Sequence, residues 1–457
     1  MDIVIAMILS IGIKGISAIV EIAIQMLITN GVGVSEYGDY TFFVSLIEGA
    51  YFVLFSGSVK LNTFYLSTPS ASLSNFKRKY TVYFVTPIVA VLIAVFAVMK
   101  NPYGILAGVI LYIYYFAFDS SSVFFSRGKQ LPALLGEYLF GRIVLLIGML
   151  LVIRLNATTG LLLLALYGLQ FVTMLLWFAP YKRKLTRGTA EMDVPIKKLA
   201  EFQMSDVANS LISYAPTILQ YIIGGAFSAG FTGIISIVKR FINFISGPTA
   251  KVFLPEFSRL YKSGQRDKLE QSYLMIVRIQ MAFIGTIGAA LIGFPHLILK
   301  MFSPELLQYS TVFTVVAGCL LLVAGIGPVT GMLQMTGSEK ICNRNQWASI
   351  GALVLVWLVV IMEPLFGVFG LCVLAVVVGG LKFFSVCKWF GKNIVPMKNY
   401  VLLWLPVLLV RIIAEWCGWQ YSLVAMLISV IFVFLWNVAF SMQDPMIQEM
   451  LHKKLKK

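Results

Sequence analysis

The chain has 457 residues, of which 59% are hydrophobic and only 12% are charged. A soluble domain carries about 25% charged residues, so this chain has too few of them to cover a soluble surface. Its 36 Lys and Arg residues outnumber its 20 Asp and Glu residues and give a formal net charge of +16. The composition excludes a disordered chain, a collagen-like repeat and a disulfide scaffold, and it places the protein in a membrane.

Apolar runs bounded by Pro, Gly, Asn or clustered charges follow one another along the whole chain. Each run is long enough for a helix that crosses a membrane. The first run lacks a basic leader and a small-residue cleavage site, so we interpret it as a retained helix and not as a signal peptide. The pattern predicts an all-α, polytopic membrane protein with about fourteen spanning helices. Their predicted ranges are 3–28, 39–62, 80–99, 103–126, 133–153, 159–180, 200–226, 229–254, 273–295, 307–335, 346–366, 367–387, 400–417 and 420–441.

The basic residues are distributed unevenly between the segments that connect these helices. If the N-terminus is cytoplasmic, most of them fall in cytoplasmic segments, among them Lys60, Lys77 and the basic residues of 181–199 such as Lys182. Only Lys100 and Lys300 fall on the opposite side. This bias predicts that both termini are cytoplasmic. Because the basic residues are dispersed over short loops with no domain to organise them, nucleic acid is not an expected partner.

A weak internal repeat divides the chain. When the second half is laid over the first, Lys14 aligns with Asp206 and Glu48 aligns with Arg240. Six predicted helices separate the equivalent positions, so the halves share one orientation and predict a pseudo-two-fold axis along the membrane normal. The predicted organisation is an N-lobe at 1–191, a C-lobe at 192–391, and two further helices with a basic tail at 392–457.

Ionisable residues at membrane depth are costly, so they usually face a partner or a watery cavity. The densest group is Lys239-Arg240, near the middle of the eighth predicted helix and without an acidic residue within a turn. A cavity lined by Lys and Arg suits a phosphate or pyrophosphate group. The predicted cavity residues are Lys14, Lys239, Arg240, Arg278, Asn243, Gln25 and Gln220. The predicted ion-coupling or counter-charge residues are Glu21, Glu48, Asp119 and Asp206.

Some of these features also have a structural interpretation. Arg411 and Glu415 lie four residues apart on one predicted helix and are expected to pair with each other. Lys14 and Glu21 lie seven residues apart and can reach each other only through a neighbour. The breakers at 325–331 predict an interruption of the tenth helix, either as a packing solution or as a hinge.

The residues that catalysis usually needs are nearly absent. Histidine occurs only at positions 296 and 452, the five cysteines show no Cys-x-x-Cys spacing, and no Walker A loop occurs. We therefore expect a transporter without a metal or cofactor, driven by an ion gradient, the substrate gradient or the membrane potential.

Two segments resemble a known family. The segment GVSEYGDYTFFVSL, from Gly33, resembles the start of Wzx-type polysaccharide flippases, and the stretch from Ser228 that closes with LPEFSRLYKSGQ is similar to their eighth helix and following loop. Helices 1–12 fit the layout of the multidrug/oligosaccharidyl-lipid/polysaccharide exporter superfamily, in which some members carry two extra C-terminal helices.

The resemblance implies a flippase of the bacterial cytoplasmic (inner) membrane, which moves an undecaprenyl-pyrophosphate-linked oligosaccharide by alternating access between two lobes. Its product would enter O-antigen, lipopolysaccharide or capsule biosynthesis, with membrane lipids and other polysaccharide assembly proteins as partners, and a monomer would suffice. Cationic cavity residues bind the anionic headgroup in that family, and Lys14, Lys239 and Arg240 stand in suitable helices.

Three other functions remain open. A multidrug or metabolite exporter of the same superfamily would favour acidic cavity residues, which Glu21, Glu48, Asp119 and Asp206 supply. A peptidoglycan-precursor (lipid II) flippase also carries fourteen helices and a basic cavity. A membrane-embedded polysaccharide polymerase of the Wzy type would need a large external loop, whereas every predicted external loop is short.

Overall fold

The structure is a computed structural model that describes most of the chain. The described residues are 3–31, 34–156, 159–186, 188–204, 206–207, 238, 241, 253–302, 304–362, 366–392 and 397–442. They form an all-α, polytopic membrane protein, as the composition predicts. Within them, eight helices are long and apolar enough to cross a membrane, or up to nine if the bent pair Phe42–Leu54 and Ser56–Tyr65 is one span. Most of the predicted seventh and eighth helices lies outside the described residues.

The apolar runs form helices close to their predicted positions. The helices before residue 190 are α1 (Ile3–Gly31), α2 (Val34–Leu54), α3 (Ser56–Tyr65), α4 (Ser74–Tyr80), α5 (Thr86–Val98), α6 (Pro102–Ser126), α7 (Gln130–Leu134), α8 (Gly141–Arg154) and α9 (Gly160–Thr186). A π-helical turn, Thr81–Val85, joins α4 to α5, and another, Leu135–Phe140, joins α7 to α8.

The second half continues with helical segments at 196–204 and 253–262. The later helices are Arg266–Leu291, Pro295–Phe302, Ser310–Ala324, Val329–Met335, Glu339–Met362, Phe366–Phe390, Met397–Trp416 and Leu423–Met442, with a 3-10 turn at Pro304–Tyr309.

Helix breaks follow the residues that cannot continue a helix. The predicted interruption of the tenth helix is confirmed, because one helix ends at Ala324 and the next begins at Val329. Gly327 within that break has φ +97°, and a Cβ there would lie 2.7 Å from Val277 Cγ2, so both the backbone and the space require glycine. A second break lies between α2 and α3, which bend by 54° at the small residues that follow Phe55.

The described residues fall into two compact units, and the first contains the whole N-terminal half. It consists of residues within Met1–Gly225, Pro248–Ser263 and Met332–Ile350. An aromatic core joins three of its helices: the Tyr114 ring on α6 lies 4.7 Å from Tyr51 on α2 and 4.5 Å from Phe171 on α9, centroid to centroid. Stacked and tilted rings at these distances add to the packing of α6.

One end of the first unit is tied together through backbone carbonyls. A short parallel pairing joins Ala71–Ser72 to Ala190–Glu191. The Arg127 guanidinium, just beyond the end of α6, donates hydrogen bonds to the carbonyls of Thr68 and Pro69, both at 2.8 Å, and to that of Ala71. These three carbonyls follow the end of α3 and accept no hydrogen bond within a helix. The Arg127 side chain supplies donors to all three.

The second unit consists of residues within Ala226–Gly247, Gly264–Gly331 and Gly351–Lys457. Its helix Arg266–Leu291 packs against the two C-terminal helices, and the buried Asn437 Nδ2 donates to the Ala282 carbonyl at 2.9 Å. The predicted pair within one helix is confirmed, since Arg411 Nε lies 3.3 Å from Glu415 Oε2. The lobe boundaries at 191 and 391 stay predictions.

Candidate functional site

Two charged residues of α1 find partners on the span that contains α8. The Lys14 ammonium lies 4.4 Å from the centroid of the Tyr138 ring, which is a cation–π distance. Glu21 lies 3.5 Å from the Arg142 guanidinium, and both side chains are about three-quarters buried. The sequence predicts that Lys14 and Glu21 need a neighbour to bridge them, and each instead contacts a residue of 135–142.

Glu48, on α2, contacts a third element. Its carboxylate accepts a hydrogen bond of 2.8 Å from the Tyr167 hydroxyl on α9. The Tyr40 ring meets Tyr167 edge to face at a centroid distance of 6.3 Å. Arg142 also lies within electrostatic range of Glu48, so one guanidinium influences two carboxylates.

These residues form one group, which we call the N-terminal polar cluster. Its members are Lys14, Glu21, Glu48, Tyr138, Arg142 and Tyr167. It carries two cations, two carboxylates and two tyrosines inside otherwise apolar helices. Cations can bind phosphate, tyrosine rings and hydroxyls can hold a sugar, and carboxylates can take a proton or a metal cation. The cluster is therefore chemically able to hold an anionic, sugar-bearing ligand together with a coupling ion.

Asp119, near the C-terminal end of α6, is held by two lysines. Its buried carboxylate lies 2.7 Å from Lys77 Nζ and 3.0 Å from Lys182 Nζ, and Asn62 Nδ2 donates to it at 2.9 Å. These partners come from α3, α4 and α9, so the carboxylate joins four helices. This arrangement gives Asp119 the contacts of a counter-charge; its use in ion coupling stays a prediction.

Asp206 is also buried and also bound by a lysine. Lys60, on α3, donates to Asp206 Oδ1 and to Gln334 Oε1, the latter at 2.9 Å. The other carboxylate oxygen, Oδ2, is buried and accepts no hydrogen bond within the described part of the chain. The sequence assigns Lys60, Lys77 and Lys182 to membrane orientation alone, and their pairing with carboxylates was missed because nothing in a single sequence shows which helices are neighbours.

The remaining predicted cavity residues are spread over the chain. Arg278 is half-buried in the helix Arg266–Leu291 of the second unit. The side chain of Gln25 lies outside the described part of α1. Gln220, Lys239, Arg240 and Asn243 also lie outside the described residues.

Outside the spans, burial lowers the pKa of Lys262, His296 and Arg127. Burial, followed by the charge of Lys198, lowers the pKa of Lys262 to about 8. The Lys262 ammonium donates to the Phe64 carbonyl and lies 4.5 Å from the centroid of the Phe64 ring. Burial, followed by the charge of Arg411, lowers the pKa of His296.

Among the described side chains, no three of His, Cys, Asp or Glu lie close enough together to hold a metal ion.

Comparisons with known proteins identify the fold. No family model matches the sequence, and no curated protein matches it. Solved structures do match. An outward-facing multidrug resistance MATE family transporter of the MOP superfamily aligns with a TM-score of 0.66 and 12% identity, covering 87% of this chain and 96% of that chain. A MOP superfamily transporter from Pyrococcus furiosus, described as having a binding pocket of reversed polarity, aligns with a TM-score of 0.69 at 12% identity and the same coverage. A MATE structure in the bent conformation gives 0.64 at 13% identity, again covering 87% and 96%.

The chain therefore has the fold of a polytopic membrane transporter. In particular, it has the fold of MOP superfamily transporters, to which the matched MATE proteins belong. This confirms the predicted fold. Membership of the superfamily and the role of a transporter stay predictions. The Wzx-type branch stays a prediction.

Proposed function

We propose that the protein flips an undecaprenyl-pyrophosphate-linked oligosaccharide across the bacterial cytoplasmic membrane by alternating access. The observation that carries this proposal is the N-terminal polar cluster, in which Lys14 lies over the Tyr138 ring and Arg142 lies within electrostatic range of Tyr167, inside apolar helices. A pyrophosphate needs cations, and a sugar needs rings and hydroxyls to bind against. The Wzx-like segments support the same substrate class.

The carboxylates of the cluster supply a basis for coupling. In the structure, Glu21 balances Arg142 and Glu48 accepts from Tyr167. A pyrophosphate that approaches Arg142 would meet two negative charges, and binding of a proton or sodium ion to Glu21 or Glu48 would remove that repulsion. An ion gradient would then drive substrate binding.

Other predicted residues complete the proposal. The sequence-based prediction that Gln25, Gln220, Lys239, Arg240, Asn243 and Arg278 bind the substrate is part of this proposal. Both termini are cytoplasmic, a single chain suffices for transport, and the flipped product passes to other proteins of surface polysaccharide assembly.

Proteoliposomes that contain undecaprenyl-pyrophosphate-linked N-acetylglucosamine test this function. Transfer between leaflets is measured by the accessibility of the sugar to an external galactosyltransferase. Lys14→Gln and Arg142→Gln should each slow transfer by about 10- to 100-fold, because a hydrogen bond to a charged group contributes about 1.5–3 kcal/mol. Lys300→Gln is the matched control, since Lys300 belongs to the second unit and lies over the Tyr421 ring, and this variant should transfer at the parent rate. Parent rates in both cluster variants would contradict the proposal.

A multidrug or metabolite exporter is the second candidate. Glu21 and Glu48 favour it, because carboxylates at membrane depth suit cationic substrates. The match to a transporter described as a multidrug resistance MATE protein supports it further. An exporter should remove ethidium from cells, and Glu48→Gln should abolish this efflux. If the parent also transfers no lipid-linked sugar in proteoliposomes, these results favour the exporter over the flippase.

A further inference from the structure

The first compact unit joins residues from both predicted lobes. Besides the N-terminal half, it contains the described residues of 196–207, 253–263 and 332–350. In the predicted topology, these segments are the cytoplasmic ends of C-lobe helices. The two predicted lobes are therefore in contact at the predicted cytoplasmic side, through three groups of residues.

The first group is an ion pair. Lys60, on α3 of the predicted N-lobe, binds Asp206 and Gln334 of the predicted C-lobe. Asp206 is 3% exposed, and its Oδ2 accepts no hydrogen bond from the described residues. Among the described residues, Lys60 is the cation that balances the Asp206 charge.

The second group lies at the bend between α2 and α3. The bend frees the carbonyls of Phe52 and Val53, and the Gln203 amide donates to both, while Gln203 Oε1 accepts from the Gly57 N–H at 2.9 Å. A Cβ at Gly57 would lie 2.7 Å from Gln203 Oε1 and 2.9 Å from its backbone nitrogen. The close approach of the two segments therefore depends on glycine at position 57.

The third group surrounds the end of α3. Ser258 Oγ donates to the Phe64 carbonyl at 3.1 Å and lies 3.3 Å from Ser67 Oγ. Lys262 and Lys198 lie over the Phe64 ring, at 4.5 Å and 4.6 Å from its centroid. The three groups thus contact α3 near its start, its middle and its end, at Gly57, Lys60 and Phe64.

We propose that the Lys60–Asp206–Gln334 cluster is a lock that holds the cytoplasmic side of the transporter closed and must open before substrate loads. This inference rests on the proposed alternating-access transport, although not on the identity of the substrate. A buried carboxylate is stable when paired, and a separated one is stable only in water. If Lys60 and Asp206 separate only part of the way, the Asp206 carboxylate stays buried and loses its partner. The ion pair therefore favours two discrete states, closed and open.

An engineered disulfide between positions 67 and 258 of the third group can be used to detect the closed state, because it forms only when the two segments are in contact. Ser67 and Ser258 have hydroxyl oxygens 3.3 Å apart, so cysteine sulfurs at these positions should lie close enough to meet and form a disulfide. The pair Ser67→Cys and Ser258→Cys is placed in a chain whose five native cysteines are replaced by serine, and oxidation is followed in native membranes by the shift of the band on non-reducing gels.

We expect rapid crosslinking in this parent. Asp206→Asn, which keeps the shape and removes the charge, should slow the initial rate at least about fivefold, because it leaves Lys60 without a counter-charge in the closed state. The exchanged pair Lys60→Glu with Asp206→Lys should restore most of the rate. Lys182→Ala is the matched control, because Lys182 also binds a buried aspartate at this end but both partners lie in the predicted N-lobe.

The outcomes separate this inference from the substrate proposal, because crosslinking needs no transport. A rate in Asp206→Asn equal to that of the parent overturns the lock, as does an exchanged pair that crosslinks no faster than the single variant. A slow single variant, a restored exchanged pair and an unchanged Lys182→Ala support it, whatever the proteoliposomes show about the lipid-linked sugar.

Discussion

Replacing Asp119 by Asn should destabilise the first compact unit strongly. The Asp119 side chain is only 9% exposed and lies between Lys77 at 2.7 Å and Lys182 at 3.0 Å. Asn62 Nδ2 also donates to it, at 2.9 Å. Asparagine has nearly the same shape, so packing is preserved, but two ammonium groups lose the carboxylate that both of them bind.

The expected loss follows from the burial of the partners. Removing one member of a fully buried ion pair costs about 3–5 kcal/mol. Lys77 and Lys182 retain 16% and 28% side-chain exposure, so water recovers part of their solvation. We therefore expect a loss of about 2–3 kcal/mol, which lowers the thermal midpoint by about 5–10 °C for a unit of about 200 residues.

The assay is thermal unfolding of the detergent-solubilised protein, followed by fluorescence-detected size exclusion. Lys182→Met is the matched control, because Lys77 still balances Asp119 in that variant, and we expect a loss below about 1 kcal/mol. Adding Lys77→Met to Asp119→Asn should recover part of the midpoint, because one stranded cation is removed. A midpoint for Asp119→Asn within about 2 °C of the parent would refute the reasoning that the carboxylate balances both lysines.

Two further predictions concern pH and topology. Burial, followed by the charge of Lys198, lowers the pKa of Lys262 to about 8. Between pH 8 and the ordinary lysine pKa of about 10.4, the unfolded chain binds more protons than the folded one, so stability should rise with pH. The thermal midpoint of the parent should therefore increase relative to that of Lys262→Met between pH 7 and pH 9.5, and a constant difference would contradict the assigned shift. The segment 181–199 should be cytoplasmic, so a cysteine at Thr189 should resist an impermeant external thiol reagent that labels a cysteine at Lys100; equal labelling would contradict the topology.

Helix positions could be predicted because they depend on local composition. The predicted helix 103–126 corresponds to Pro102–Ser126, where Asn101 Oδ1 caps the first turn by accepting from the Gly104 N–H at 3.0 Å. The break after Ala324 was predictable because Gly and Pro cannot continue a helix there. The bend after Phe55 was missed, since serine and glycine interrupt an apolar helix only when a partner such as Gln203 takes over the freed carbonyls.

The ion-pair partner of a charged residue could be predicted from the sequence only when both residues lie on one helix. The spacing of Arg411 and Glu415 brings them onto one face, and the structure confirms their contact. The pairs Glu21–Arg142 and Lys60–Asp206 join distant segments. One sequence shows that such charges need partners but not which helices are neighbours, so the pairs required the structure.

The lysines at the predicted cytoplasmic ends of the helices have two roles, membrane orientation and ion pairing with a buried carboxylate. The sequence alone indicates only the first. The orientation of a membrane chain depends on the number of Lys and Arg residues near the ends of its spans, and Asp and Glu contribute little. Lys77 and Lys182 can therefore orient their helices during insertion and bind Asp119 only when α4, α6 and α9 have packed. The buried aspartate does not weaken the orientation signal, because it acts after the helices are inserted. A lysine at the end of a span, next to a helix that carries a buried carboxylate, is for this reason both a topology signal and a candidate for a tertiary contact.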